Sequence, residues 1–428
     1  MITSDAFAGK TYHVLGLART GLSVVAALID SGATVAAWDD REEARAALPE
    51  RVARVDPMTA DLRAYDALVV SPGVPLNTHP LAKRAAEAGT PVIGDIELFA
   101  QARASLPPHK VVGITGTNGK STTTALIHHV LKGAGVPTTM GGNIGLPILS
   151  QKPLPEGGVY VLELSSYQID LTRTLQCDIA MLLNISPDHL DRYDNDVDKY
   201  AASKARLFTM LEPTGKAVIA GWDSWSRKIA EATADHVRPV NTDLLDRQDD
   251  WGALAGPHNR GNAAAAVAAL RELGLQDEAI LSGFSSFPGL PHRMEILGTR
   301  GGVLYINDSK ATNAESAAPA LAAFENIHWI AGGLAKSADL DACAPQLGRV
   351  AAVYLIGDAA PVFGEALSGK VPLIVQSGTL ENAVEAAAAR ASDGDVVLLS
   401  PACASFDQYK DFEARGDHFR ALVEGLPA

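Results

Sequence analysis

The sequence is poor in cysteine, in long apolar runs and in positive charge, and each shortage excludes a class of protein. Its 428 residues include three cysteines, Cys177, Cys343 and Cys403, and no CxxC pair. A zinc site built on cysteine pairs and a disulfide framework are therefore excluded, and a reducing compartment is favoured. No apolar run reaches about 18 residues, so we expect no insertion into a membrane. The first residues lack the basic and apolar stretches of a secretory signal, so we expect a cytoplasmic protein.

Positive charge is scarce because 36 lysines and arginines face 50 aspartates and glutamates, which gives a formal net charge of −14 at pH 7. A chain of this charge is not expected to coat nucleic acid or an anionic membrane, although a local basic cleft could still bind phosphate groups. The apolar fraction of 47% is ordinary for a globular protein. At roughly 150 residues per domain, the length predicts about three domains.

Short apolar runs such as KVVGIT, VYVLEL and DVVLLS alternate with alanine-rich helical patterns along the whole chain. Continuous apolar strands separated by helices predict an α/β fold, with parallel sheets covered by helices on both faces. Proline-rich breaks near residues 101–110 and 285–297 favour three consecutive domains. We expect a Rossmann-like N-terminal domain, a central P-loop ATPase-like domain with a mostly parallel sheet and a C-terminal Rossmann-like domain, over residues 1–98, 99–289 and 290–428.

The stretch GITGTNGKSTTT, residues 113–124, predicts a phosphate-binding loop between a strand and a helix. Unpaired N–H groups at a helix N-terminus favour an anion, and glycines in the loop let the backbone approach it closely. Lys120 would reach the β- and γ-phosphates, and Ser121 would offer its hydroxyl to Mg²⁺. The strict pattern has glycine where this chain has Ile114, and the alternative interpretation is a glycine-rich turn. The candidate ATP-binding residues of the loop are Gly116, Thr117, Asn118, Gly119, Lys120, Ser121 and Thr122.

This stretch resembles the ATP-binding loop of the Mur ligases and of their relatives, the folylpolyglutamate synthases. Four further segments extend the resemblance over nearly the whole chain: GGNIGLP (141–147), LELSSYQ (162–168), NISPDHLDRY (184–193) and GLPHRME (289–295). The resemblance implies an ATP-dependent amide ligase that uses two Mg²⁺ ions.

Besides Ser121, three side chains are candidates for the metal site. Glu163 ends a buried strand at the carboxyl edge of the sheet, where a carboxylate near a triphosphate could bind Mg²⁺; the alternative is a capped polar strand end. By spacing alone, His189 is an ordinary surface residue and Lys204 an ordinary helix lysine. The resemblance implies that His189 binds the second Mg²⁺ and that Lys204 is carbamylated and binds metal, together with Ser121. It also implies catalytic roles for Lys120, His189, Lys204 and Lys310.

Two asparagines, Asn259 and Asn262, lie one helical turn apart in HNRGNAAAA and could recognise the edge of a base. The alternative is that Asn259 caps the helix. The resemblance implies that both asparagines face ATP and that His292, Arg293 and Asp308 complete the ATP site.

The first domain contains HVLGLARTG, a G-x-A-x-x-G variant of the dinucleotide fingerprint with Ala18 in place of the second glycine. A helix N-terminus at this point would bind a diphosphate, and Asp39 could accept a hydrogen bond from a base or ribose. The stretch resembles the uridine-diphosphate site of the D-glutamate-adding Mur ligases. The UDP-sugar-binding residues that this implies are Arg19, Thr20, Asp39, Asp40, Arg41, Ser71, Gly73, Asn143 and His189.

The resemblance also bears on the amino acid that is added, because members of the family differ in their last domain. INDSKATN (306–313) and SPACASFDQYKDFEARGDHF (400–419) are similar to the D-glutamate-adding members of the family. The implied D-glutamate-binding residues are Thr312, Lys336, Ser405 and Phe412, and a lysine with hydroxyl donors suits a substrate that has two carboxylates. Leu334 stands where those members carry an acidic residue, so the role of that acid does not transfer.

The implied reaction joins D-glutamate to UDP-N-acetylmuramoyl-L-alanine through an acyl phosphate, in peptidoglycan precursor synthesis, and we expect the enzyme to be a monomer. Two alternatives stay open. The first is an amide ligase for another amino acid, including a folylpolyglutamate synthase, which would not need a uridine-diphosphate domain. The second is a nucleotide-binding regulatory module without catalysis.

Overall fold

The computed structural model describes residues 1–220, 223–254, 257–335 and 339–427, apart from the side chains of 247, 249, 250, 257 and 258. Within these ranges the chain forms three sheets. Its contacts divide it into two compact units, of which unit 1 is Met1–Arg247 with Asn259–Ser286 and unit 2 is Gln248–His258 with Phe287–Ala428.

The first sheet of unit 1 is parallel throughout the described residues, in the order β3-β2-β1-β4-β5. Its strands are β1 (Thr11–Leu15), β2 (Thr34–Trp38), β3 (Ala53–Arg54), β4 (Ala67–Val70) and β5 (Val92–Ile93), and its helices are α1 (Arg19–Asp30), α2 (Glu42–Ala46), α3 (Leu81–Ala88) and α4 (Asp95–Ala102). The strand order reverses between β1 and β4, so the crevice at their carboxyl ends is the expected ligand position of such a sheet.

The second sheet of unit 1 is also parallel in the described ranges, in the order β11-β10-β9-β6-β8-β7. Its strands are β6 (His109–Thr115), β7 (Thr138–Gly142), β8 (Gly158–Glu163), β9 (Cys177–Leu182), β10 (Leu211–Ile219) and β11 (Val237–Arg238). The helices are α5 (Lys120–Gly133), α6 (Ser166–Asp170), α7 (Val197–Ala205), α8 (Ser224–Ala232), α9 (Pro257–Glu272) and α10 (Asp277–Ser286). Because β6 lies between β8 and β9, the segments that leave these three strands meet at one edge.

The sheet of unit 2 has the order β12-β13-β17-β14-β15-β16, and the pairing of β12 with β13 is antiparallel while its other described pairings are parallel. Its strands are β12 (Glu295–Arg300), β13 (Val303–Asn307), β14 (Ile327–Gly332), β15 (Val350–Ile356), β16 (Ile374–Gly378) and β17 (Val396–Leu399), and its helices are α11 (Ala314–Ala322), α12 (Ala360–Leu367), α13 (Leu380–Ala388) and α14 (Phe412–Glu424). The prediction of an α/β fold with mostly parallel sheets is confirmed.

One continuous hydrophobic core serves both sheets of unit 1. It contains Val14 of β1, Phe99 of α4, Tyr160 of β8 and Leu182 of β9, all buried. A smaller separate cluster around Leu68 of β4 also packs on the first sheet. Unit 2 has one core that contains Trp329 and another that contains Tyr354. Since apolar burial is the main favourable term in folding, the shared core explains why the first two sheets form one unit.

None of the helices in the described ranges is both long and apolar enough to cross a membrane. The proposed boundaries at residues 98 and 289 stay a prediction.

The close contact of α1 with the β1 loop generates a stability prediction. A β-carbon on Gly21 would collide with the carbonyl oxygen of Gly16, which is backbone and cannot turn aside. We expect Gly21→Ala to lower the free energy of unfolding by about 1–3 kcal/mol, the usual cost of overpacking, as measured by urea denaturation. The control is Gly133→Ala, because a β-carbon there meets no atom within 4 Å. Equal stability of the two variants would contradict this account.

Candidate active site

The loop between β6 and α5 is shaped by two glycines. Gly116 has φ +152° and Gly119 has φ +83°, a backbone region that favours glycine. A β-carbon on Gly119 would overlap Oδ1 of Asn262, and one on Gly116 would lie 3.1 Å from Cβ of Leu183. The loop therefore follows its path at the N-terminus of α5 only with glycine at both positions, which leaves backbone where a phosphate would bind.

The strict phosphate-loop pattern expects a glycine at position 114, and this chain has its glycine one residue earlier, at Gly113. That glycine has a different role from Gly116 and Gly119. Gly113 lies within β6, where a β-carbon would come 3.0 Å from Sγ of Cys177 and 3.1 Å from Cδ1 of Leu207. Ile114 is fully buried in the same strand. The departure from the strict phosphate-loop pattern therefore lies within the packed strand β6, before the 116–119 loop begins.

The segment that follows β9 is bonded directly to this loop. The N–H of Thr117 donates to the carbonyl of Asn184 at 2.9 Å, and the N–H of Asn118 donates to Oδ1 of Asn184 at 2.8 Å. The N–H of Ser186 in turn donates to Oγ1 of Thr117 at 3.0 Å. These bonds place the chain just before His189 beside the phosphate loop.

Two lysines donate to the same carbonyl oxygen. Nζ of Lys120 lies 3.0 Å from the oxygen of Gly116 and 2.8 Å from that of Thr117, and Nζ of Lys204 lies 2.9 Å from the oxygen of Gly116. Lys204 is buried and its ammonium group lies 4.5 Å from the ring centroid of Tyr200. Burial, and next the charge of Lys120, lower the pKa of Lys204 well below its ordinary value. The environment therefore favours the neutral, nucleophilic amine.

Glu163 carries a carboxylate oxygen that the described chain does not satisfy. Its Oε1 accepts from Nδ2 of Asn143 at 3.0 Å, whereas its buried Oε2 has no hydrogen-bond partner among the described residues. The side chain ends β8 and is 2% exposed. Because a buried unpaired charge is costly, this oxygen fits a cation that the chain itself does not provide.

A cavity of about 420 Å³ opens at the carboxyl edges of the two sheets of unit 1. Its lining contains residues predicted for three roles. Lys120 is predicted to bind ATP, Lys204 and His189 to bind metal, and Asn143 and Gly73 to bind the nucleotide-sugar. Its complete lining is Pro72, Gly73, Lys120, Asn143, Ser165, Ser166, Tyr167, Asp188, His189, Asp191, Arg192, Tyr200 and Lys204.

The lining includes residues that the sequence analysis did not select. Tyr167 and Arg192 stand inside the quoted segments 162–168 and 184–193, so the motifs contained the signal. Tyr200 lies four residues before Lys204 on α7, and that spacing places both side chains on one helix face.

His189 has a left-handed backbone, with φ 52°, and lies where the chain leaves the sheet. Its Nε2 is 3.6 Å from a carboxylate oxygen of Asp188, and its ring meets the ring of Tyr167 edge-on at 5.6 Å between centroids. The side chain is 53% exposed, so it is accessible to a ligand in the cavity.

In the first sheet, Asp39 is already engaged by the protein. Its Oδ2 accepts the N–H of Leu17 at 2.7 Å, and its Oδ1 accepts Nε of Arg41 at 3.0 Å. The hydrogen bond from Arg41 is the main cause that lowers the pKa of Asp39 to about 2. The carboxylate thus fixes the loop after β1 and orients Arg41.

The other predicted nucleotide-sugar residues lie at the same edge of the first sheet. Arg19 and Thr20 begin α1, whose N-cap residue Ala18 makes no side-chain cap. Oγ of Ser71, after β4, donates to the carbonyl of Gly16 at 2.9 Å. This bond joins the segments that follow β1 and β4, where the strand order reverses. Asp40 is exposed and its carbonyl accepts from Arg45 at 2.9 Å. The first turn of α1 therefore presents backbone N–H groups where a diphosphate could bind.

The paired asparagines Asn259 and Asn262 are both buried, and Nδ2 of Asn262 donates to Oδ1 of Asn259 at 3.1 Å. Because Asn262 lies directly against Gly119, the pair adjoins the phosphate loop.

Unit 2 collects its predicted residues at the carboxyl edge of its own sheet. Asp308, Lys310 and Thr312 follow β13, and Ser405 follows β17. Nζ of Lys310 lies 3.8 Å from the ring centroid of Phe412, the first residue of α14. Lys336 lies outside the described residues. Arg293 and His292 precede β12, and Nδ1 of His292 is 3.1 Å from Nδ2 of Asn307.

A buried arginine that the sequence analysis did not select ties this edge together. Arg415, on α14, donates from Nη2 to the carbonyls of Ser309 at 2.9 Å and Cys403 at 3.0 Å. It is 1% exposed, and burial lowers its pKa to about 10. The segments after β13 and β17 are thereby held to one helix.

Three family models match consecutive parts of the chain. They are the Mur ligase MurD-like N-terminal domain over residues 10–94, the Mur ligase middle domain over 114–253 and the Mur ligase glutamate ligase domain over 292–403. This chain belongs to the Mur ligase family. The resemblance noted in the sequence is confirmed, and the protein is a ligase of a family that carries out ATP-dependent amide ligation in peptidoglycan precursor synthesis.

Among similar Mur ligases, the UDP-N-acetylmuramoylalanine–D-glutamate ligase of Novosphingobium aromaticivorans is 58% identical over 100% of this chain and 97% of that protein. The enzyme of the same name from Sphingopyxis alaskensis is 59% identical over 100% of both chains. Among solved structures, the Thermotoga maritima MurF ligase in complex with ADP has a TM-score of 0.60 at 17% identity, and covers 97% of this chain and 95% of its own. At that identity it supports the fold alone.

The buried carboxyl of Asp308 predicts a pH dependence of stability in this Mur ligase. It accepts from Oγ of Ser400 at 2.7 Å, yet burial raises its pKa from 3.8 to about 7. Between these two values the folded protein holds a proton that the unfolded chain releases, so stability falls as pH rises through this range. We compare the free energy of unfolding of Asp308→Asn with that of the wild type. This difference should shift in favour of the variant by on the order of 3 kcal/mol from pH 4 to pH 7 and stay constant above pH 7.

The measurement is chemical denaturation of the ligand-free protein across this pH range. The control is Asp358→Asn, which removes an exposed carboxylate from the same unit. A gain for Asp308→Asn that is constant with pH, or equal to that of the control, would show that Asp308 does not carry the buried proton.

Proposed function

We propose that this Mur ligase joins D-glutamate to UDP-N-acetylmuramoyl-L-alanine, with conversion of ATP to ADP and phosphate. The observation that carries the proposal is the unpartnered carboxylate oxygen of Glu163, buried at the sheet edge from which the phosphate loop and the His189 segment also leave. The names of the relatives that are 58% and 59% identical support this pair of substrates.

ATP would bind at residues 116–122, with its phosphates on the N-terminus of α5. Lys120 now donates to loop carbonyls, and its ammonium group would turn to the β- and γ-phosphates. Asn259 and Asn262 would lie on the nucleotide side of the loop. His292, Arg293 and Asp308, which belong to unit 2, are also proposed to bind ATP.

The residues present fit Mg²⁺. The unpaired oxygen of Glu163, the hydroxyl of Ser121, the imidazole of His189 and Lys204 as its carbamate would hold two ions together with substrate phosphates. The described residues contain no cluster of three His, Cys, Asp or Glu side chains that could hold a metal ion alone. That suits Mg²⁺, which takes few protein ligands and keeps phosphates and water. When bound, Mg²⁺ would neutralise the charge of the transferring phosphoryl group.

Carbamylation is the proposed state of Lys204. A neutral amine can add to CO₂, with loss of a proton, whereas an ammonium group cannot. The environment that favours the neutral amine therefore also favours the reaction, and the product would place an anion beside the cation of Lys120. Lys120 would then face an opposite charge instead of a neutral amine.

The proposed chemistry is the reaction that the resemblance to the Mur ligases implies. The L-alanyl carboxylate attacks the γ-phosphorus, which gives an acyl phosphate and ADP. The amine of D-glutamate then attacks the acyl carbon, phosphate leaves and the amine loses a proton. Lys120 would stabilise the phosphoryl charge in both steps, and the cavity wall would limit the access of water to the acyl phosphate.

The nucleotide-sugar would bind at the edge of the first sheet, to Arg19, Thr20, Arg41, Ser71 and Gly73, with Asp39 and Asp40 at the base. Its sugar end would reach Asn143 and His189 in the cavity. D-Glutamate would bind to unit 2, through Thr312, Lys336, Ser405 and Phe412, with Lys310 near the phosphates.

We further propose domains over residues 1–98, 99–289 and 290–428, a monomer and a cytoplasmic location. Three free, buried cysteines support a reducing compartment. The regulatory alternative is disfavoured because Lys120, His189 and Lys204 line one cavity beside Glu163.

The substrate pair is tested by phosphate release in the presence of ATP, Mg²⁺ and UDP-N-acetylmuramoyl-L-alanine. We expect release with D-glutamate and none with L-glutamate, L-alanine, L-lysine or meso-diaminopimelate. Lys120→Ala is the negative control, since it removes the cation that binds the phosphates. Turnover with another amino acid alone would assign the chain to a different ligase, and full activity of Lys120→Ala would refute the role of the loop.

The metal role of Glu163 generates a second prediction. Glu163→Gln keeps the shape of the side chain and its bond to Asn143 but removes the charge. We expect the Mg²⁺ concentration for half-maximal activity to rise by at least about tenfold, with a large loss of turnover. The control is Glu156→Gln, at an exposed glutamate outside the cavity. An unchanged Mg²⁺ dependence in Glu163→Gln would remove Glu163 from the metal site.

A further inference from the structure

The cavity wall contains an arginine to which neither the sequence nor the reaction gave a role. Arg192 ends the short turn that begins after His189. Its Nη1 donates to the carbonyl of Val74 at 3.1 Å and its Nη2 to that of Gly73 at 3.2 Å. One guanidinium therefore joins the 72–77 loop, which follows β4 in the first sheet, to the 188–195 loop, which follows β9 in the second.

The flat face of the Arg192 guanidinium also makes a contact, with the ring of Tyr167. Its carbon lies 4.5 Å from the ring centroid of Tyr167, and the edge of that ring meets the ring of His189. Arg192 thus touches the backbone at the nucleotide-sugar site and reaches His189 through one aromatic ring. Arginine suits this position because its planar group donates from its edge while its face stacks on a ring.

The 188–195 loop has a conformation that needs support from outside. His189, Asp194 and Asn195 all have left-handed backbones, at φ 52°, 56° and 59°. These residue types tolerate that region better than most, but three of them within seven positions is unusual. A second bond between the loops, from Nδ2 of Asn77 to the carbonyl of Asp191 at 2.9 Å, lies beside the arginine.

We propose that Arg192 is a positioning residue that fastens the 72–77 loop to the 188–195 loop, so that the segment that binds the nucleotide-sugar also fixes the location of His189. This rests on the proposed function, since it assigns these loops to UDP-N-acetylmuramoyl-L-alanine and to the metal. Loss of the guanidinium would loosen both loops and leave D-glutamate binding unchanged, because the D-glutamate residues belong to unit 2.

The first test is kinetic. For Arg192→Ala we expect the KM for the nucleotide-sugar to rise about tenfold and kcat to fall about tenfold, with the KM for D-glutamate within twofold of wild type. Arg192→Lys keeps the charge and one donor and should recover part of the loss. Asn77→Ala breaks the neighbouring bond and should change the same constants in the same direction by a smaller factor. The control is Arg84→Ala, whose Nη2 donates to the carbonyl of Ala60 at 2.9 Å, away from the cavity.

The second test does not need turnover. Hydrogen exchange of the free protein, followed in peptides over 71–79 and 186–196, should be about fivefold faster in both segments of Arg192→Ala and unchanged in Arg84→Ala. If exchange is faster in Arg192→Ala but the wild type shows no turnover that depends on D-glutamate, Arg192 still fastens the two loops and the proposed function is wrong. Wild-type exchange in both segments, or an equal rise in both KM values, would overturn the positioning role.

Discussion

The site depends on one carbonyl oxygen that two lysines share. The oxygen of Gly116 accepts from Nζ of Lys120 at 3.0 Å and from Nζ of Lys204 at 2.9 Å. Two ammonium groups this close repel each other, and the buried member cannot be relieved by water. Charge therefore favours Lys120, at the N-terminus of α5, while Lys204 tends to the neutral form. The conformation of Gly116, at φ +152°, favours glycine and directs this oxygen toward both amines, while burial is the main cause of the lowered pKa of Lys204.

The order of the parallel strands places the other groups of the site at the same edge of the sheet as the phosphate loop. Because β6 lies between β8 and β9, Glu163, the 116–119 loop and the segment before His189 all leave the sheet at one edge. In the first sheet, too, segments that follow neighbouring strands meet at one edge. The hydroxyl of Ser71, after β4, donates to the carbonyl of Gly16, after β1. A single hydrophobic core under both sheets keeps the two edges in one unit, and the cavity lies where they meet.

The sequence predicted the α/β class, the phosphate loop and the segments that line the cavity, because periodicity and glycine spacing are local properties. It did not predict properties that arise between distant residues. Lys204 reads as an ordinary helix lysine, and its burial depends on Tyr200 and on the loop of a different strand. The bond from Asn143 to Glu163 exists because β7 pairs with β8. The bond from the N–H of Leu17 to Asp39 likewise joins the segments that follow β1 and β2.

Three strained or unsatisfied groups of unit 1 lie in or beside the cavity. Glu163 has a buried oxygen without a partner among the described residues, Lys204 has a buried amine whose pKa is lowered by burial and by the charge of Lys120, and His189 has a left-handed backbone. A cation would relieve the first and carbon dioxide the second, and the chain contains neither; the backbone of His189 places that residue in the cavity lining. Since selection for folding alone would remove such groups, their presence together is best explained by the chemistry that they would support.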